Sequence, residues 1–457
     1  MRSELIVERR TALPVSPEEA FAWHARPGAL MRLIPPWHRV RVLAGTGVVE
    51  NGARVTLLVR AGPLELRWVA EHRDVEPGRG FTDIQVSGPF DRWVHTHRVD
   101  PDGDGRAVLH DRIVCEAPLG IRIGRGRLRR ELERMLAWRH AVTAADLAMN
   151  AAAAPRPPLH IAVTGASGLL GSTLIPALTT GGHRVTRLVR GVPRENEIRW
   201  DPAGGGLDPA ALRGVDAVVH LAGENIAGAR WTAAHQRRVL ESRRTGTRLL
   251  SEAIARAPGG PRVLVSASAV GLYGDRGDEV LTEESPPGRG FLPDVGRAWE
   301  EGTTAAAEAG VRVVRLRIGL VLTPAGGLLE RLLPPFRLGL GGRIGSGTQW
   351  MSWISVDDLV AVFHHALTTE SARGPMNAVG PEPVTNAEFT RALGVALRRP
   401  ALFPVPAGAL RLVFGRMADE AILASARVLP AALLASGYRF RHPTLPEALA
   451  HVLGATP

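Results

Sequence analysis

Three glycines separated by two residues each form a pattern suited to binding phosphate. They are Gly165, Gly168 and Gly171, in the stretch TGASGLLG. An apolar run precedes the pattern and a run with helical periodicity follows it, which is the order strand, tight turn, helix. The first glycine permits the turn, the second lets backbone N–H groups approach a diphosphate, and the third lets helix and strand pack closely. Seven residues are therefore expected to hold a dinucleotide diphosphate at a helix N-terminus: Gly165, Ala166, Ser167, Gly168, Leu169, Leu170 and Gly171.

The next strand-like segment, HRVTRLVR, predicts which dinucleotide binds. A site for NAD carries Asp or Glu at the end of this strand, where the carboxylate accepts a hydrogen bond from the ribose 2′-hydroxyl. Here the strand ends in Val189 and Arg190, and no acid lies nearby. A guanidinium is planar, permanently charged and multidentate, which suits the 2′-phosphate of NADP. An ordinary solvated arginine is the alternative interpretation, but the missing acid favours NADP(H) as the ligand.

Two further apolar segments end in turns that should line the same ligand. The segment GVDAVVHLAG ends in His220, Leu221, Ala222 and Gly223, and VLVSASA ends in a serine-rich turn that contains Ser266. Strands that alternate with helices predict a parallel sheet. Ligands of open parallel sheets bind beyond the carboxyl ends of the strands. We therefore expect both turns to contact the cofactor.

These motifs resemble those of a known family. TGASGLLG, HLAG, SASAVGLYGD and WISVDD resemble the extended short-chain dehydrogenase/reductases, the NAD-dependent epimerase/dehydratase group. GENIAGARW, ESRRTGT and the segment PPFRLGLGGRIGSGTQWMSWISVDD are similar to its atypical branch, the epimerase family proteins. The resemblance runs from Leu159 nearly to the end. It implies an α/β fold, a doubly wound parallel Rossmann sheet, with a small extra C-terminal domain. It also implies that Arg243 reaches the NADP phosphates or ribose, and that Val321 lies against the nicotinamide.

The resemblance also raises the question of catalysis. Extended short-chain dehydrogenases use Ser, Tyr and Lys, with the last two in Y-x-x-x-K, to position a substrate and transfer a proton. This chain contains no lysine, and its tyrosines are Tyr273 and Tyr438. Ser268 matches the family's catalytic serine, with Ser266 as runner-up. The usual proton relay is therefore absent.

Tyr273, on the same turn as Ser268, is the predicted proton donor. Without a cationic neighbour its phenol should keep a pKa near ~10, which suits a donor at neutral pH. The alternative is a structural role for Tyr273, with Asp294 or Glu300 as the donor. Two functions remain open: an NADP-dependent oxidoreductase or epimerase acting on a small apolar molecule, and a non-catalytic NADP-binding or sensing protein.

The first third of the chain has a different pattern. The order is a strand, a short helix with Ser16 as its N-cap, antiparallel strands and a long final helix. The antiparallel runs include residues 53–60, 81–88, 91–100 and 106–115. This order resembles the START-like (SRPBCC, polyketide-cyclase-like) helix-grip superfamily. The resemblance implies an α+β domain that encloses a cavity for a small hydrophobic ligand.

Two histidines in this part of the chain share one strand face. His95 and His97 alternate with Val94 and Thr96, so both imidazoles point to the same side. A metal pair completed by His110 is conceivable. No carboxylate or cysteine spacing supports it, so we predict no metal and favour polar groups in a cavity wall or a solvated strand face.

Chain length, net charge and cysteine content give the remaining expectations. A chain of 457 residues predicts two or three domains. All 56 basic residues are arginines, dispersed along the chain, so the net charge of +11 does not predict a nucleic-acid partner. The single cysteine, Cys115, and the lack of long apolar stretches predict a cytoplasmic protein with no membrane span. The predicted domains are 1–150, a proline-rich linker 151–158, the Rossmann domain 159–400 and a small C-terminal domain 401–457.

Overall fold

The structure, a computed structural model, describes residues 4–45, 47–116, 124–153 and 157–455. The chain divides into two compact units: the first contains the residues up to Pro158 together with Pro176–Gly182, and the second contains Leu159–Ile175 together with His183–Ala455. Residues 154–156, in the predicted linker, lie outside the described residues. No helix in the described ranges combines the length and the apolar character that crossing a bilayer requires.

The first unit is a seven-stranded antiparallel sheet with one long helix. The strand order is β1-β7-β6-β5-β4-β3-β2. The strands are β1 (Leu5–Leu13), β2 (Val40–Gly45), β3 (Arg54–Ala61), β4 (Leu64–Glu76), β5 (Gly80–Ser87), β6 (Arg92–Pro101) and β7 (Ala107–Glu116). The helices are α1 (Pro17–Ala25), α2 (Ala29–Arg32) and α3 (Arg125–Ala153).

Local sequence explains most of this unit. Ser16 caps α1, since its side chain accepts a hydrogen bond from the backbone N–H of Glu19, as predicted. Alternation along β6 turns Trp93, His95 and His97 inward, where the sheet's inner face forms a core with α3. Strands β2 and β4 were not predicted, because their residues are mostly exposed or half-buried and show no clear alternation. Helix α3 continues through Ala153, three residues into the predicted linker, because alanines favour helix.

The second unit contains a parallel sheet of seven strands, in the order β10-β9-β8-β11-β12-β14-β18. Its strands are β8 (His160–Thr164), β9 (Arg184–Val189), β10 (Glu197–Arg199), β11 (Ala217–His220), β12 (Val263–Ala269), β14 (Arg312–Ile318) and β18 (Gly374–Ala378). The reversal of strand order beside β8 is the doubly wound Rossmann arrangement, which confirms the predicted fold class.

The helices of the second unit follow its strands. They are α4 (Leu169–Thr180), α5 (Ala233–Arg256), α6 (Phe291–Glu301), α7 (Thr304–Glu308), α8 (Gly327–Arg337), α9 (Val356–Thr368), α10 (Asn386–Leu397), α11 (Ala407–Phe414), α12 (Ala431–Ala435) and α13 (Leu445–Leu453). Three two-stranded ladders complete the unit: β13 (Val280–Leu281) with β20 (Arg427–Val428), β15 (Leu320–Leu322) with β17 (Trp353–Ser355), and β16 (Trp350–Met351) with β19 (Val384–Thr385). Helix α13 shares a buried core with α8 and α10.

Candidate functional site

The glycine loop joins β8 to α4 and requires its glycines for space. Gly165 has φ +66°, and a Cβ there would lie 2.9 Å from the Ala222 backbone nitrogen. A Cβ on Gly171 would lie 2.4 Å from the Gly165 carbonyl oxygen. Ser167 and Gly168 are exposed at the tip of the turn, and α4 begins directly afterwards at Leu169. The loop therefore presents backbone at a helix N-terminus, as the sequence predicts for a phosphate site.

A threonine and a histidine fix the neighbouring turn. The Oγ1 atom of Thr164 accepts hydrogen bonds from the backbone N–H groups of Leu221 (3.0 Å) and Ala222 (3.1 Å), and it lies 2.8 Å from Nδ1 of His220. With both acceptor positions used, the threonine hydroxyl donates to Nδ1. The other ring nitrogen, Nε2, lies 3.0 Å from Oγ1 of Thr247. These bonds join the ends of β8 and β11 to α5.

The charge state of His220 follows from its surroundings. Burial, with a contribution from the charge of Arg243, lowers the pKa of His220 to about 3. The imidazole is therefore neutral at physiological pH. Its bonds to Thr164 and Thr247 hold the end of β11, and so help to orient the turn that follows.

Arg243 is a buried guanidinium beside that turn. Its Nη1 donates to the backbone carbonyls of Glu224 (2.9 Å) and Val239 (3.2 Å), and its Cζ lies 4.5 Å from the centre of the Trp299 ring. Burial lowers its pKa to about 10, so the cation persists at neutral pH. Its Nε is buried with no hydrogen-bond partner among the described residues. Because a Cβ on Gly223 would lie 3.0 Å from Cζ, the missing side chain there makes room for the guanidinium.

Three other predicted residues lie at the same edge of the sheet. Val189 ends β9, and the exposed Arg190 follows it; the structure shows no ion pair for Arg190 within the described ranges. Ser266 pairs with His220 in the β11–β12 register and is 1% exposed.

Val321 lies outside the main sheet, in β15, where it pairs with Ile354. The segment after β15 packs against the end of the glycine loop. A Cβ on Gly326, in this segment, would lie 3.0 Å from the side chain of Leu169. Gly326, five residues after Val321, therefore lies against the start of α4.

Ser268 takes part in a buried polar network that the sequence did not predict as a whole. Its hydroxyl donates to Oε1 of Glu300 (2.8 Å). Arg317 donates to both oxygens of the same carboxylate, from Nε (2.8 Å) and Nη2 (2.9 Å). Glu300 lies on α6. A fixed carboxylate thus contacts the serine.

Tyr273 belongs to the same network and is fully buried. Its hydroxyl accepts from Nη1 of Arg317 (2.8 Å) and lies 2.7 Å from Oδ1 of Asn377 and 2.9 Å from the Thr282 carbonyl. The expectation that Tyr273 lacks a cationic neighbour is wrong, yet burial outweighs Arg317 and raises the pKa of Tyr273. Arg317 and Asn377 were not predicted; the arginine's place in the apolar strand RVVRLRI was the available signal.

His95 and His97 are buried, so of the two alternatives the solvated strand face is wrong. His95 and His97 are 3% and 6% exposed, with ring centroids 3.9 Å apart. His110, considered as a third ligand, points elsewhere: its Nε2 lies 3.4 Å from Oε2 of Glu8. The reason is the alternation along β7, where Asp111 and not His110 turns inward.

Three family models match separate parts of the chain. Residues 161–379 match the model of the NAD dependent epimerase/dehydratase family. Residues 13–137 match the family described as polyketide cyclase / dehydrase and lipid transport. Residues 405–452 match a domain of unknown function.

Curated relatives match about two thirds of the chain. An epimerase family protein of Mycobacterium bovis is 47% identical over 292 residues, which are 64% of this chain and 96% of the relative. The human epimerase family protein SDR39U1 is 38% identical over 298 residues, 65% of this chain and 100% of the relative.

Solved structures extend the comparison to both units. The crystal structure of a protein described as a nucleoside-diphosphate sugar epimerase from Corynebacterium glutamicum covers 98% of this chain and 90% of its own, with 34% identity and a TM-score of 0.81. The structure of human SDR39U1 (isoform 2) with NADPH covers 65% of this chain and 100% of its own, with 37% identity and a TM-score of 0.61.

Fold and site together define an NAD(P)-binding Rossmann protein of the short-chain dehydrogenase/reductase type, preceded by a polyketide-cyclase-like domain. More narrowly, the chain belongs to the epimerase family, the group of the mycobacterial and human relatives.

Proposed function

We propose that the second unit binds NADP(H) in preference to NAD(H). The observation that carries the proposal is the pair of cations at the carboxyl edge of the sheet: exposed Arg190 after β9 and buried Arg243, whose Nε has no partner among the described residues. At the end of β9, where an acid would bind an unphosphorylated ribose, the chain carries Arg190. The NADPH in the human relative's structure supports the same choice.

Replacing Arg190 with glutamate tests this proposal. We expect NADPH affinity to fall by about 1–3 kcal/mol, because a charge-assisted contact to the 2′-phosphate becomes a repulsion. NADH affinity should stay the same or rise. The measurement is titration calorimetry with both cofactors. Arg184→Glu is the matched control, since Arg184 is also exposed but begins β9, at the opposite end of the strand. Equal affinities of the wild type for NADPH and NADH would contradict the proposal.

We further propose an NADP-dependent oxidoreductase or epimerase activity on a small molecule. Ser268 lies at the carboxyl end of β12, where catalytic groups of this fold meet the ligand, and its hydroxyl donates to Oε1 of Glu300. We also propose that the first unit binds a small hydrophobic ligand, and an apolar carbonyl compound would belong to the same class. The Corynebacterium relative, described as a nucleoside-diphosphate sugar epimerase, adds such sugars as a second substrate class. A substrate screen should therefore include both classes and follow the absorbance of NADPH.

Two variants test the roles of the two hydroxyls: Ser268, expected to orient the substrate, and Tyr273, the proton donor predicted from the sequence. On a substrate found by that screen, we expect Ser268→Ala to lose turnover by up to the ~10²–10⁴-fold of a placed proton-transfer group, because this hydroxyl links the substrate to the Glu300 carboxylate. We expect Tyr273→Phe to retain most turnover, because the phenol is fully buried against protein groups. NADPH affinity is the internal control for both variants. If Tyr273→Phe is inactive while still binding NADPH, Tyr273 is the donor, as the sequence alone suggested.

A non-catalytic NADP-binding or sensing role is the second candidate function. The observation in its favour is that the hydroxyls of Ser268 and Tyr273 are both engaged by neighbouring protein groups. Absence of turnover across both substrate classes, with tight NADPH binding, would support it. In either case we propose a cytoplasmic protein with a Rossmann domain over 159–400 and a small C-terminal domain over 401–457.

A further inference from the structure

Three potential metal ligands converge on the inner face of the first unit's sheet. Asp83 on β5, and His95 and His97 on β6, each offer one ligand atom, and these atoms lie within 4.8 Å of one another. Asp83 and His95 are direct partners in the β5–β6 register. We propose that these three side chains form a binding site for a divalent transition-metal ion.

His97 is already oriented as a metal ligand. Its Nδ1 lies 2.9 Å from Oδ1 of Asp111, and its Nε2 lies 3.3 Å from Oδ2 of Asp83. When Nδ1–H donates to Asp111, the lone pair of Nε2 points toward Asp83. A carboxylate behind a histidine fixes the tautomer and the ring orientation in the same way at known metal sites.

The other two ligands also have features that suit a metal. The Nε2 atom of His95 has no hydrogen-bond partner among the described residues, although the residue is only 3% exposed. Its nearest carboxylate oxygen, Oδ2 of Asp111, is 3.6 Å away, which is too far for a hydrogen bond. An unsatisfied buried nitrogen costs stability, and a coordinated cation would remove that cost. Asp83 is held through its second oxygen by His72.

Charge and access are consistent with a cation at this position. The carboxylates of Asp83 and Asp111 interact with the charge of the half-buried Arg139. Burial lowers the pKa of His97, but Asp111 and Asp83 outweigh it and raise that pKa to about 9, so a bound metal ion must displace the proton on Nε2. With both imidazoles then neutral, the two carboxylates and Arg139 leave one net negative charge beside the ion. Two histidines and one carboxylate form a donor set typical of Zn²⁺ or Fe²⁺ sites with open coordination positions. The Asp83 side chain is 24% exposed, which leaves a route for an ion to enter.

Cobalt and zinc titrations of the full-length protein test the site. After treatment with a chelator, Co²⁺ should bind with a stoichiometry of one and produce visible d–d absorption, and Zn²⁺ should displace it. His95→Gln and Asp83→Asn should weaken Co²⁺ binding by at least ~100-fold. Replacing a residue that only hydrogen-bonds to a metal ligand usually costs ~10–100-fold, so a larger loss identifies direct ligands. His110→Gln is the matched control and should bind as the wild type does, because His110 faces away from the cluster.

A measurement on the wild type keeps the proposal falsifiable if the variants do not fold. In NMR spectra of the wild type, paramagnetic Co²⁺ should shift and broaden the imidazole resonances of His95 and His97 and leave those of His110 in place. Absence of one-to-one Co²⁺ binding, unchanged binding in folded His95→Gln, or unperturbed His95 and His97 resonances in the Co²⁺-loaded protein would each overturn the proposal. The cluster would then be a network of hydrogen bonds alone.

Discussion

Replacing Glu300 with alanine should destabilise the second unit by about 3–5 kcal/mol, the usual cost of leaving one partner of a buried ion pair uncompensated. The guanidinium of Arg317 donates twice to this carboxylate, and both side chains are at most 10% exposed. The substitution would also leave the Ser268 hydroxyl without its acceptor. Urea denaturation followed by tryptophan fluorescence measures the loss. NADPH stabilises the unit to which it binds. The unfolding transition that moves to higher urea concentration when NADPH is added is therefore that of the second unit.

A control lies on the same helix. Asp294 and Arg297 form an ion pair on the exposed side of α6. Asp294→Ala should therefore cost less than about 1 kcal/mol, the usual value of a surface pair. If Glu300→Ala costs no more than Asp294→Ala, the buried network does not contribute to stability in the way that its geometry indicates.

The Gly171→Val variant should lose most of its NADPH affinity. A Cβ at this position would lie 2.4 Å from the Gly165 carbonyl oxygen and 2.7 Å from the Ala166 Cα, and neither backbone atom can move without distorting the loop. Losing two charge-assisted backbone hydrogen bonds to the diphosphate costs roughly 3 kcal/mol or more. Titration calorimetry should therefore show a decrease in affinity of at least ~100-fold.

Gly408→Val serves as the control for this change. Gly408 lies in α11, and a Cβ there meets no atom within 4 Å. We expect its NADPH affinity to match the wild type. Tight binding by a folded Gly171→Val variant would mean that the diphosphate does not rest on the glycine loop.

Much of the fold could be predicted because its signals are local. The spacing of Gly165, Gly168 and Gly171 between a strand and a helix reports a turn that only glycines fit, and the structure confirms that geometry. Alternation along β6 and the cap at Ser16 are likewise properties of neighbouring residues. Strands β2 and β4 were missed since mostly exposed strands do not alternate clearly.

The polar networks could not be predicted in the same way. Glu300 and Arg317 are 17 residues apart, and Tyr273 and Asn377 are 104 apart. Their contacts depend on the order of β12, β14 and β18 and on how α6 packs against them. In the first unit, the β5–β6 register brings Asp83 opposite His95, and β7 turns Asp111 inward in place of His110.

The sequence by itself determined the Rossmann class, the phosphate loop and the absence of a Y-x-x-x-K relay. Each of these depends only on which residues stand close together along the chain. Only the tertiary structure decided the surroundings of the reactive groups. It buried Tyr273 against Arg317 and set Ser268 on Glu300. It also directed two histidines at Asp83. The physical reason is that burial and charge pairing depend on residues that are distant along the chain, and strand register and packing bring these residues together.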